Sequence, residues 1–218
     1  MQNELNEMMA IGYPIFPCRP NDKRPMTPNR FKDASNDTYQ IEKWWDAAPL
    51  ANIGLAKGIG ADLLVIDVDV KDDAQGLASM KALEFELGPL NTRKIVTPSG
   101  GYHLYFKHPR DGIKNTIGIR PGIDIKTEGG YVLAAGSVIN GNPYCVENDI
   151  EAQELPQRWI DVLAQGKPSK VLAAANDTSF HDFDDFPIVK GSRNDQLFRQ
   201  ASSLRARDIP LEGAVDAG

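Results

Sequence analysis

Leu63-Leu64-Val65-Ile66-Asp67-Val68-Asp69-Val70-Lys71 drives two carboxylates through an apolar run, and the reading of this stretch decides the rest. The β-branched run predicts a buried strand. Residues two apart on a strand share a face, so Asp67 and Asp69 are expected side by side, roughly 6 to 7 Å apart from the strand rise. At an effective dielectric of about 20 two such charges repel by on the order of 2 to 3 kcal/mol. Something must offset that repulsion. A hard divalent cation, Mg2+ or Mn2+, does so most directly, because it takes carboxylate oxygens and keeps positions open for phosphate. The plainer alternative is a strand end at which both acids emerge into water.

A second stretch, Thr97-Pro98-Ser99-Gly100-Gly101-Tyr102-His103-Leu104-Tyr105-Phe106, is a small-residue turn feeding a strand. Its alternation puts His103 and Tyr105 on one face, Leu104 and Phe106 on the other. Gly100 and Gly101 permit consecutive amides to face an anion, and Ser99 adds a hydroxyl, so the turn reads as a phosphate cradle with His103 beside it. The competing reading is an ordinary hairpin with a satisfied histidine. A third stretch, Pro121-Gly122-Ile123-Asp124-Ile125-Lys126, again sets an acid inside a β-branched run, with Lys126 two residues on along the same face. Alone it is a same-face ion pair. Beside two other carboxylates it reads as a third metal ligand with a cation able to meet phosphate.

In order and spacing these stretches resemble the bifunctional DNA primase/polymerase N-terminal family, a branch of the archaeo-eukaryotic primase superfamily found in replication proteins of plasmids, phages and integrated elements. Asp67 and Asp69 match its D-x-D motif; Ser99-Gly100-Gly101-Tyr102-His103 matches its small-residue-x-His motif; Ile123-Asp124 matches its hydrophobic-Asp motif. Gly12-Tyr13-Pro14-Ile15-Phe16-Pro17, Lys23-Arg24-Pro25, Trp44-Trp45 and Ala51-Asn52-Ile53-Gly54 are similar to its flanks. One departure is Ala134-Ala135-Gly136-Ser137, where relatives often carry a proline.

The resemblance implies an α+β fold, an RRM-like catalytic unit packed on an N-terminal α/β unit, as in the archaeo-eukaryotic primases. It also implies template-directed nucleotidyl transfer by two metal ions, giving DNA primase and DNA polymerase activity. Asp67, Asp69 and Asp124 would hold Mg2+ or Mn2+. His103 would bind the phosphates of the incoming nucleotide, with Ser99, Gly100 and Gly101 contributing contacts and Lys126 helping. The implied partners are a single-stranded DNA template, dNTPs or NTPs, and a helicase domain or protein following this chain.

Composition agrees with a soluble enzyme: 218 residues, 41% hydrophobic and 25% charged, enough for one sizeable core and a small appendage. No run approaches the roughly 20 apolar residues of a membrane span, and Met1-Gln2-Asn3-Glu4 begins no signal peptide. Cys18 and Cys145 stand apart, so no zinc site is expected, and a reduced, cytoplasmic setting is the plain reading. The net charge of −6 is unevenly spread: residues 91–128 carry seven Lys or Arg against three acids, and residues 19–32 five against Asp22 alone. Basic surface beside an acidic centre suits tracking of a phosphate backbone. Tyr13, Tyr102 and Tyr105 could stack on bases, although aromatics in such runs are more often core.

Helices are expected over residues 2–12 and 39–48, and between Gly76 and Gly88, where Leu77, Met80, Leu83, Phe85 and Leu87 supply apolar positions. Residues 1–165 read as the catalytic domain. Residues 166–187, Ala-rich and then acidic-aromatic, read as a linker. Residues 188–218 open at Ser192-Arg193-Asn194-Asp195 into a helix lined by Leu197, Phe198, Ala201 and Leu204. That segment resembles the start of the family's helical accessory module, which would be incomplete here. Two alternatives stay open: a phosphatase of the haloacid dehalogenase type, which expects Gly-Thr where Val70-Lys71 stands, and a nucleic-acid-binding replication module without catalysis.

Overall fold

In the computed structural model residues 2–70, 75–110 and 112–165 are described. The fold is mixed, with four α-helices, two short 3-10 turns and two principal antiparallel sheets among those residues. Helix α1 (Gln2–Ile11) leads into strand β1 (Ile15–Cys18), and helix α2 (Thr38–Ala47) into strand β2 (Asn52–Ala56). The Asp37 carboxylate caps α2 by accepting from the Tyr39 amide at 3.1 Å. The apolar run forms strand β3 (Leu64–Val68), followed by helix α3 (Gly76–Leu87), strands β4 (Arg93–Val96) and β5 (Tyr102–Phe106), and the ribbon of β6 (Thr116–Arg120) and β7 (Ile123–Lys126). Strand β8 (Tyr131–Leu133), the small hairpin of β9 (Val138–Ile139) and β10 (Asn142–Pro143), strand β11 (Cys145–Asn148) and helix α4 (Gln157–Ala164) complete it.

The smaller sheet runs β1-β2-β8 and the larger runs β11-β4-β5-β3-β7-β6. Strand β3 is central, with β5 on one side and β7 on the other, both antiparallel. Its period-two alternation explains how one strand serves two cores. Val65, with Ile95 and Tyr105 from β4 and β5, faces the N-terminal elements and joins Phe16, Ile41, Trp45, Ile53 and Leu55. Leu64, Ile66 and Val68 face the other way and pack with Met80 and Leu83 of α3 and Trp159, Ile160 and Leu163 of α4. A strand buried on both faces has no room for a register slip, because shifting by one residue would exchange the two cores.

Helix α3 forms where expected, but its apolar positions divide differently. Gly76, Met80 and Leu83 make the buried stripe, whereas Leu77 is 51% and Phe85 94% exposed. At about 100° per residue Phe85 lies half a turn around from Gly76, so it cannot share that stripe. Gly76 itself is required by close approach: a Cβ there would press on the carbonyls of Asp69 and Gly122. Tyr13 and Tyr105 are core residues, which removes them as base-stacking platforms. The linker and helical module expected over 166–218 lie outside the described residues.

Candidate active site

Three strands of the larger sheet bring the site together. Asp67 is the register partner of His103 on β5 and of Asp124 on β7. Residues opposite one another in an antiparallel ladder point to the same face at about 4.5 to 5.5 Å, so these side chains form a row across the sheet. Lys126 joins from two residues along β7, on the same face. Its Nζ lies 3.1 Å from Asp67 Oδ2 and 2.9 Å from Asp124 Oδ2, bridging the two acids. Burial works against the Lys126 charge, but the Asp67 and Asp124 carboxylates outweigh it and hold the ammonium above its ordinary pKa. Asp124 Oδ1 also accepts from the Gly118 amide at 2.8 Å. The repulsion between the half-buried Asp67 and Asp124, a different pair from the Asp67 and Asp69 anticipated from the sequence, is therefore offset by an ammonium from their own sheet.

Asp69 stands apart from that row. Strand β3 ends at Val68, and Asp69 is exposed just beyond it, its amide donating to Gly122 O at 2.7 Å and its carbonyl accepting from the Gly76 amide at 3.1 Å. Its side chain still belongs to this side of the site: burial, followed by the charges of Asp67 and Asp69, pushes the Tyr144 phenol up to about 12.

His103 sits behind Asp67, its side chain 7% exposed and its Nε2 3.4 Å from Asp67 Oδ1. Burial pushes its pKa down to about 4; Asp67 pulls the other way, while Lys126 and Lys23 add to the depression. The imidazole is neutral at physiological pH, and its Nδ1 has no hydrogen-bond partner. A neutral imidazole carries one donor and one acceptor.

The Thr97–Gly101 turn is built more tightly than a free cradle. The Gly100 amide donates to Thr97 O at 2.9 Å, so it is spent within the turn, and the Ser99 and Thr97 hydroxyls lie 3.0 Å apart. Ser99 and Gly100 remain exposed at its tip. Gly101 answers to packing, since a Cβ there would collide with the Val68 carbonyl on β3. The turn is thereby seated against the strand end that carries Asp67 and Asp69.

Two further lysines reach the site. Lys23, exposed on the loop after β1, acts on His103 through its charge, and its carbonyl accepts from the Tyr131 hydroxyl at 2.6 Å. Lys57, just after β2, donates to Thr127 O at 3.0 Å, and burial together with the Lys126 charge depresses its pKa to about 8. Lys23 was visible in Lys23-Arg24-Pro25, but not its destination. Lys57 and Tyr144 carried no sequence signal, because what places them is contact between distant segments.

Much of the basic excess of residues 91–128 is met by acids, while Lys107 and Lys114 stay exposed. Arg93 is 3% exposed and paired with Glu7 and Asp149, while Lys94 pairs with Glu147, Arg110 with Asp62 and Arg120 with Glu86. Folding brings acids from other segments onto these bases.

The donor set suits a hard cation: two carboxylate oxygens already converge on one positive charge, and the donors around it are oxygens. Among the described residues, however, no group of three or more His, Cys, Asp or Glu side chains is arranged to hold a metal. Lys126 occupies the position between Asp67 and Asp124. No described helix is long and apolar enough to cross a membrane.

Comparison with protein families finds that the model for the bifunctional DNA primase/polymerase N-terminal domain matches residues 5–158. A search of curated proteins returns no match.

Proposed function

The chain belongs to the bifunctional DNA primase/polymerase N-terminal family, and on that premise we propose that it performs template-directed nucleotidyl transfer using divalent metal ions held by Asp67, Asp69 and Asp124. The observation that carries the proposal is the convergence of Asp67 and Asp124 on a single cation position beside a neutral histidine. Mg2+ or Mn2+ bound there would lower the pKa of a primer 3′-hydroxyl and neutralise charge on the departing pyrophosphate. The chain's own groups do the rest. Asp67 and Asp124 would hold the ion, with Asp69 at the strand end as a third ligand.

His103, with Nε2 3.4 Å from Asp67 Oδ1, would donate to a phosphate oxygen of the incoming nucleotide, with Ser99, Gly100 and Gly101 of the preceding turn contributing contacts. Lys126 and Lys23 supply positive charge for the triphosphate. The order β4-β5-β3-β7, in which α3 connects β3 to β4, supports an RRM-like catalytic unit, with α1, α2 and the smaller sheet as the N-terminal unit against it. A single-stranded DNA template and dNTPs or NTPs are the proposed partners, in replication of a plasmid, phage or integrated element.

The test is extension of a primed single-stranded DNA, and synthesis on an unprimed one, with Mg2+ or Mn2+ and either dNTPs or NTPs. Template-dependent product lost in Asp67→Ala supports the reading. Tight DNA binding without synthesis under any of these conditions would favour a non-catalytic replication module.

A further inference from the structure

Lys126 holds two acids that would otherwise face each other unscreened. Its Nζ is within 3.1 Å of Asp67 Oδ2 and 2.9 Å of Asp124 Oδ2, and the two acids are register partners on adjacent strands. A divalent ion entering between these oxygens meets an ammonium already in place, and two cations cannot share the position. The ammonium must leave, and it needs somewhere to go. Its stem is four flexible carbons, and its side chain, 27% exposed, has an open side. Lys23 adds a second positive charge that acts on His103 beside Asp67, so this side of the site favours an anionic ligand.

We propose that Lys126 is a resident counter-cation that a divalent ion must displace, and that a polyphosphate ligand promotes the exchange by offering the ammonium a new anionic partner. This rests on the metal-binding reading of Asp67 and Asp124. Its consequence is coupling: metal alone binds weakly, polyphosphate strengthens metal binding, and metal strengthens polyphosphate binding by the same factor.

Equilibrium dialysis of Mn2+ tests this, run with and without inorganic tripolyphosphate on the wild type, Lys126→Met and Lys126→Arg. Ion bound to tripolyphosphate alone equilibrates across the membrane, so the excess on the protein side reports the protein site. Lys126→Met should bind Mn2+ alone at least tenfold more tightly than the wild type and lose most of the gain that tripolyphosphate gives. Lys126→Arg should keep weak binding of Mn2+ alone.

A second measurement uses the wild type and does not depend on the folding of Lys126→Met. With the lysines carrying 13C-methyl labels, the Lys126 resonance, assigned by its loss in Lys126→Arg, should shift when Mg2+ and tripolyphosphate are added together. Equal Mn2+ affinity in the wild type and a folded Lys126→Met, or a Lys126 resonance unmoved by Mg2+ and tripolyphosphate, would overturn the exchange. Asp67→Asn and Asp124→Asn separate the two levels. Mn2+ binding that survives in both variants refutes the metal site itself, whereas binding lost in both but indifferent to Lys126→Met refutes only the exchange.

Discussion

His103 and Asp67 are register partners on β5 and β3, with His103 Nε2 3.4 Å from Asp67 Oδ1, yet the imidazole is held neutral. Burial outweighs the attraction of the carboxylate. A histidine whose folded pKa of about 4 lies below its unfolded value of about 6.5 binds fewer protons folded than unfolded between those limits. Stability therefore rises with pH across that window and falls as pH drops from 6.5 toward 4, by on the order of 3 kcal/mol from this residue. Melting temperature measured against pH in chelator checks it: His103→Gln should flatten the slope between pH 6.5 and 4. An unchanged slope would show that other groups carry it.

The same residue should separate nucleotide handling from template handling. His103→Ala is expected to raise the KM for nucleotide or lower kcat by 10-fold or more, order of magnitude, while DNA affinity holds. Weakened DNA binding with unchanged nucleotide kinetics would reverse the assignment.

Lys126 stabilises the metal-free chain as well as charging the site. Lys126→Met leaves Asp67 and Asp124 opposed at about 5 Å, a repulsion of roughly 3 kcal/mol at an effective dielectric near 20. Adding Asp67→Asn should restore most of that loss, so urea unfolding of the two single variants and the double should show strong non-additivity. Additive losses would mean that the acids do not feel one another. Asp67→Ala or Asp124→Ala alone, with Lys126 still paired to the remaining acid, should abolish synthesis and leave the melting temperature within a few degrees.

Gly101→Ala should destabilise the chain by more than about 2 kcal/mol, because the atom its Cβ would strike is the Val68 backbone carbonyl, and backbone in a central strand cannot give way as a flexible side chain can. A neutral result in thermal or urea unfolding would show that the turn can lift off β3. Activity should fall with stability here, since the displaced strand end carries Asp67 and Asp69.

Helix α3 offers a paired control. Phe85→Ser, at a 94% exposed position, should shift stability by no more than about 0.5 kcal/mol, whereas Met80→Ala, fully buried, should cost about 2 to 5 kcal/mol. Comparable losses in both would place Phe85 in a contact absent from the described residues.

Much of the site could be read in one dimension because strand chemistry is local. An apolar β-branched run broken by acids at Asp67 and Asp124, and a Gly-Gly turn ahead of His103, are short-range patterns whose period-two consequences follow from backbone geometry alone. The division of Tyr105 from Leu104 and Phe106 between two cores follows in the same way. The family could be read too, since it depends on the order and spacing of those motifs.

What the tertiary structure decided is who partners whom. Asp67 stands beside Asp124, fifty-seven residues away in sequence, because β3 and β7 share a ladder, and Lys126 falls between them for the same reason. Asp69 lies just past the strand end, where its amide still bonds to Gly122 O in the β3–β7 register while its carbonyl takes the Gly76 amide at the start of α3. Much of the basic excess of residues 91–128 goes into ion pairs with Glu7, Asp62, Glu86, Glu147 and Asp149. Hydrophobic periodicity is a property of one segment, so the sequence by itself determined the strands and their faces. Charge compensation and side-chain convergence belong to pairs of segments, and only the packed sheet selects the pairs.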